Sequence, residues 1–133
     1  MAVCSADFYS QAESALANSI GEISSRCCVK NSYYAAFHKV NEILTSEPAK
    51  YCGTGVHQSF IDYLLTEAFR HEPNIEKNKL KRLALMLKEM RNARAQADYI
   101  LDDTVTESDA NLQLATSKKL FTLCDEIEAT KVA

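Results

Sequence analysis

Glycine and proline are scarce in this chain, three and two among 133 residues, and tryptophan is absent. So little turn chemistry argues against a sandwich or barrel of many short strands and leaves long helices with few connections. No continuous apolar run is long enough to span a bilayer, and the opening MAVCSADFYSQAES has neither a positive n-region nor an apolar h-region. A cytoplasmic protein without membrane contact is the resulting expectation. The five cysteines, Cys4, Cys27, Cys28, Cys52 and Cys124, form an odd set without a C-x-x-C pair or a companion histidine spacing. They read as reduced, mostly buried thiols, and neither a metal nor a cofactor is expected. A P-loop, a dinucleotide fingerprint, a zinc signature and a nucleophile elbow are missing too, which removes the enzyme classes they mark.

What is present is an ordinary globular composition, 47% hydrophobic and 25% charged. A chain of this length buries roughly two-thirds of its unfolded surface, enough for one core, so residues 1–133 read as a single domain. Net charge is −3, which argues against a uniformly basic coat for nucleic acid. The charge is unevenly spread. Seven of the fifteen basic residues (Lys77, Lys79, Lys81, Arg82, Lys88, Arg91 and Arg94) fall together with one acid, Glu89, while the chain from Asp98 onward is mainly acidic. Such a patch attracts phosphate, or is a solvated helix face balanced by acidic neighbours.

Hydrophobic spacing follows the helical period throughout. Ser5 reads as an N-cap for Phe8, Ala12, Ala15, Leu16 and Ile20, and Gly21 ends that run. From about 24 to 45 a wide stripe of Val29, Tyr33, Ala36, Phe37, Val40, Ile43 and Leu44 predicts a long buried helix, closed by Pro48. A loop over 51 to 55 precedes a shorter helix carrying Val56, Phe60, Ile61, Leu64 and Ala68, and 71 to 74 forms the next connection. The fourth helix spans about 76 to 101 with Leu80, Leu83, Ala84, Leu87 and Met90 on one face. Thr106 and Asp109 resemble a capping box that opens a last helix through Leu120, Leu123, Cys124 and Ile127. The expected fold is all-α, an antiparallel bundle of four to five helices.

The fourth helix breaks its own pattern. Its apolar stripe continues geometrically through 91, 94, 98 and 101, and three of those places hold Arg91, Arg94 and Asp98. Charges are rarely left unpaired in a core, so the last turns are expected to leave the interior and face a partner, a cleft or each other. Arg94 and Asp98, four apart, are also spaced to pair along the helix.

The segments NSYYAAFHKVNEIL (31 to 44), GTGVHQSF (53 to 60) and RNARAQADY (91 to 99), followed by a closing amphipathic helix, resemble the HEPN superfamily. The likeness is to its small bacterial branch with a Tyr-Tyr-Ala-x-Phe-His helix and an Arg-x-x-Arg-x-x-Ala-Asp-Tyr helix, and it runs from about residue 5 to 128. It implies a helical bundle that commonly dimerises with its arginine-bearing helices near one another. Active members are metal-independent endoribonucleases that use an Arg, a polar residue, a spacer and a His; others partner minimal nucleotidyltransferases. Arg91 and Asn92 match the first half of that motif. The His would fall near Ala97 or Asp98 and is missing.

Cleaving RNA through its 2′-hydroxyl wants a base, an acid and a cation for the phosphorane charge. Arg91 and Arg94 supply charge, whereas Asp98, a carboxylate beside two arginines, is a weak base. The resemblance therefore implies a dimer in bacterial defence, toxin–antitoxin or stress response that binds RNA, nucleotide or a partner protein without efficient catalysis. The alternative is an endoribonuclease using Arg91, Asn92 and Asp98. Ligand phosphate falls to Arg91, Arg94 and Lys88, and Tyr99 matches the tyrosine that a nucleotidyltransferase-type partner modifies. His38 is a candidate accessory imidazole, and His57, beside the glycine loop, is as ambiguous as His38 between a proton-transfer role and packing. Tyr33 and Tyr34 offer a stacking face for a base, but their helical spacing reads as core.

Overall fold

The first helix opens one residue earlier than its sequence suggests. In the computed structural model, which describes residues 2–46 and 55–131, Cys4 is the N-cap of α1 (Ser5–Ala17) and its N–H donates to the Asp7 carboxylate at 2.7 Å. Ser5, the expected cap, is instead buried against α2, where its N–H and hydroxyl both donate to Glu42. α2 (Glu22–Ile43) starts at Gly21, whose φ of 129° suits glycine alone. α3 (Val56–Thr66), α4 (Ala68–His71), α5 (Lys77–Tyr99) and α6 (Glu107–Lys131) follow. The expected third helix is thus split, since Glu67 interrupts it and leaves a single turn as α4. The capping box at α6 forms as its sequence predicts: Thr106 N–H donates to Asp109 Oδ2 at 2.9 Å, and Asp109 N–H to Thr106 Oγ1 at 3.1 Å. The expected stop at Pro48, most of the loop over 51 to 55, and Cys52 lie outside the described residues.

The described residues thus form a bundle of six helices, with no strand among them, and no helix is long and apolar enough to cross a membrane. α2 is its centre and packs on α1, α5 and α6. Pairs fix the registers. Ser5 meets Glu42 and Phe8 meets His38, so α1 and α2 pair in descending order. Cys28 meets Ala110, Ser32 meets Ser117 and Lys39 meets Asp125, so α2 and α6 pair in ascending order.

Two apolar clusters fill the interior. The larger joins Tyr33 and Val40 of α2, Phe60 and Leu64 of α3, Leu80, Leu87 and Met90 of α5, and Leu120 and Ile127 of α6. The smaller gathers Ala12, Cys28, Val29, Ala97, Val105 and Ala110. Along α5, Arg91 and Arg94 occupy the interval between Met90 of one cluster and Ala97 of the other. Charge enters the stripe where the core changes hands.

Two buried polar groups hold the ends of this frame. Arg26, 8% exposed, reaches from α2 to the end of α5. It donates to the carbonyl of Ala97 at 2.8 Å, to those of Ile100 and Leu101 at 3.3 and 3.4 Å, and to that of Asp103, while Glu22 pairs with it at 2.8 Å. The Ala97 carbonyl is one that the end of α5 leaves without an intrahelical partner, and the others belong to the turn that follows it. Glu72, 2% exposed, accepts from the N–H groups of Thr45 and Ser46 and from the Thr45 hydroxyl at 2.9 to 3.1 Å. It fastens the turn after α2 to α4.

The thiols divide evenly: Cys28 and Cys124 are buried, whereas Cys4 and Cys27 are exposed, so the expectation that most are buried does not hold among the described residues. Cys4 sits at the α1 start, and Cys27 faces outward from α2. All four are free.

Candidate functional site

The last turns of α5 do not leave the bundle as expected. Arg94 keeps only 11% of its side-chain exposure and Asp98 21%. The reason is aromatic: the Arg94 guanidinium stands 5.7 Å from the Tyr33 ring centre, 5.9 Å from that of Tyr34 and 5.8 Å from that of Tyr99. Three ring faces stabilise a cation that an aliphatic core would reject. Burial opposes its charge, but Tyr34, Asp98 and Tyr99 outweigh that and raise its pKa.

Arg94 is nonetheless short of acceptors. Nη1 reaches Asp98 Oδ2 at 3.5 Å, the far edge of a hydrogen bond, and Nε–H is buried without a partner among the described residues. Arg91 repeats the pattern one turn earlier: Nη1 donates to Gln58 Oε1 at 3.0 Å, and its Nε–H is likewise buried and unpaired. Gln58 in turn donates to Asp62 at 2.9 Å, so α3 supplies the polar wall of the site. A guanidinium has five N–H donors in a fixed fork, so Arg91 and Arg94, one turn apart on α5, keep donors that an anion's oxygens can meet.

Between them and α2 comes His57, from the first turn of α3. Its Nδ1 lies 2.8 Å from the Tyr33 hydroxyl, and its ring packs 4.6 Å from that of Phe37 and 5.9 Å from that of Tyr34. Burial lowers its pKa, and Arg94, Arg91 and then His38 lower it further. The imidazole is therefore neutral near pH 7, with Nδ1 facing the Tyr33 hydroxyl. Tyr33 is fully buried, and burial raises its pKa against the smaller pull of Arg94 and Arg91, so its hydroxyl stays protonated.

The remaining sequence candidates divide. Asp98 and Tyr99 join Arg94, Tyr99 with 72% of its surface exposed. Asn92 and Lys88 are exposed on α5, and the Asn92 side chain makes no hydrogen bond among the described residues. His38 packs instead of serving the arginines, stacked 4.9 Å from Phe8 and edge-on to Phe37 at 5.3 Å. The two histidines, equivalent by sequence, are told apart by the fold. Tyr34, expected in the core, is half-buried, with its ring between Phe8 and Arg94. Among the described residues no group of three His, Cys, Asp or Glu side chains is arranged to hold a metal ion.

Compared with protein-family models, curated proteins and solved structures, the chain matches none.

Proposed function

We propose that this chain is a cytoplasmic HEPN-like bundle in which helices successive in the chain run antiparallel, and that it works as a homodimer and holds a phosphate of RNA or of a nucleotide at Arg91 and Arg94. One observation carries the reading: two guanidinium groups one turn apart, each with a buried Nε–H that no acceptor among the described residues satisfies, stand near a neutral imidazole. Buried donors without acceptors are costly, and an incoming phosphate, with its several acceptor oxygens, answers both forks at once. Lys88 and the other basic residues of α5 add long-range attraction. By its resemblance, the protein belongs to a bacterial defence, toxin–antitoxin or stress system. Tyr99, exposed beside Arg94, is the residue that a nucleotidyltransferase-type partner would modify.

The test is ligand-dependent melting. Adenosine monophosphate or a short RNA at a hundredfold excess over Kd adds about 2.7 kcal/mol of stability, which raises Tm by roughly 10 °C. Arg91→Ala removes most of that shift. An unchanged shift in the variant, or none in the parent chain, overturns the reading. Light scattering should give about twice the chain mass of 14.9 kDa.

A second reading, a metal-independent endoribonuclease, is favoured by His57. The motif imidazole is missing from α5, and one from α3 stands near the same arginines; in the tautomer whose Nδ1–H donates to Tyr33, its Nε2 takes a proton from a 2′-hydroxyl. In that chemistry Arg91 and Arg94 stabilise the phosphorane charge.

A further inference from the structure

On the far side of Tyr34 from the arginines lies an open cleft between α1 and α2. The cleft encloses about 480 Å³ and is lined by Ala2, Val3, Asp7, Phe8, Ser10, Gln11 and Asn31. One ring connects the two regions: Tyr34 lies 5.9 Å from the Arg94 guanidinium and 6.2 Å from the Phe8 ring. His38 stacks on one face of Phe8 at 4.9 Å and holds that ring in place, leaving the other face for a ligand.

We propose that this cleft is a base subsite, taking the nucleobase of a nucleotide whose phosphate is held by Arg91 and Arg94; the inference rests on the phosphate reading above. Three features select a base over other appendages. Phe8 lines the cleft with an aromatic ring, and any base has a π-face to lay against it. Gln11 and Asn31 bring side-chain amides that have no hydrogen-bond partner among the described residues, the group that pairs side by side with a donor and an acceptor on a base edge. Asp7, whose Oδ2 already accepts from Cys4 N–H, puts negative charge at this end, while the arginines put positive charge at the other. A ligand with a neutral head and an anionic tail is thereby oriented. Its tail lies past Tyr34, so a lone phosphate fills only half the site.

Isothermal titration of the full chain with adenosine monophosphate, ribose 5-phosphate and inorganic phosphate tests this. Adenosine monophosphate is expected to bind about 10-fold tighter than ribose 5-phosphate, the range that stacking of one base supplies. Asn31→Ala and Gln11→Ala, both at the cleft and outside the core, should narrow that ratio toward one without changing the affinity for ribose 5-phosphate. A tetra-adenylate that binds tighter than the mononucleotide, with the same dependence on Asn31, identifies the source as an RNA strand; equal affinity identifies a free nucleotide. If adenosine monophosphate and ribose 5-phosphate bind equally and both are lost in Arg91→Ala, the base subsite is wrong and the phosphate site stands. If none of the three binds, both proposals fall.

Discussion

The hydroxyl of Tyr33 and Nδ1 of His57 lie 2.8 Å apart, bridging 24 positions of sequence and tying α2 to α3 beneath the arginines of α5. The bond orients the imidazole, and the surroundings set its charge. Burial and the nearby cations Arg94 and Arg91 act in the same direction, against protonation.

That lowered pKa makes stability depend on pH. Because His57 protonates more readily unfolded than folded, the unfolded state binds the extra proton first as pH falls below the ordinary value of 6.5. The contribution of neutral His57 is fully present above that value and is lost as pH drops toward the folded pKa. Urea denaturation between pH 7.5 and pH 5 should show falling stability, and His57→Gln, which keeps a hydrogen-bonding group near Tyr33, should flatten that slope. An identical slope in parent and variant would place the titration elsewhere.

Arg26 should matter more than any other surface-derived charge. It is 8% exposed and serves as the cap of α5, so Arg26→Ala leaves the carbonyls of Ala97 and Ile100 without their charged donor and strands the Glu22 contact. Loss of charge-assisted hydrogen bonds at a buried site predicts about 3 kcal/mol of destabilisation by urea unfolding. Hydrogen exchange should speed up over the last turn of α5, where Asp98 and Tyr99 sit. A change below about 0.5 kcal/mol would mean that water satisfies those carbonyls equally well.

Much of this architecture was legible in the chain. Apolar spacing located every helix longer than one turn, since a bundle must bury one face of each. Thr106 and Asp109 announced the start of α6 because a capping box is local chemistry. The errors came from contacts distant in sequence. Arg94 stayed inside because Tyr33 and Tyr34, from another helix, supply ring faces that the spacing of α5 cannot reveal. Ser5 was misread as a cap because its partner, Glu42, lies 37 positions away. The role of His57 depends on α3 folding back against both α2 and α5, a juxtaposition that no local pattern encodes.

Glu72 yields a sharper test of packing. The residue is 2% exposed, and its carboxylate accepts from two backbone N–H groups and one hydroxyl of the turn. Glu72→Gln keeps the shape but replaces one acceptor oxygen by a donor facing donors, which should cost about 2 kcal/mol. Amide exchange at Thr45 and Ser46 should rise ahead of global unfolding. Protection that survives in the variant would show that the turn is held by packing instead.

The last prediction separates holding RNA from cutting it. Phosphodiester cleavage needs one group to take the 2′-hydroxyl proton and another to protonate the leaving oxygen. His57 offers an imidazole for the first task, but the second has only weak acids near it: the Tyr33 hydroxyl holds its proton, and Asp98 lies against Arg94 at 3.5 Å. The expected outcome is retention without efficient turnover: a labelled single-stranded RNA stays intact after long incubation in chelator, yet shifts in a gel with the parent chain and not with Arg91→Ala. His57→Ala should weaken that binding only modestly, since a neutral imidazole contributes one hydrogen bond where the arginines contribute charge. If the RNA is instead cut without metal, and His57→Ala stops the cutting while His38→Ala does not, then α3 supplies the imidazole that α5 lacks. In that event the ribonuclease reading replaces the binding one.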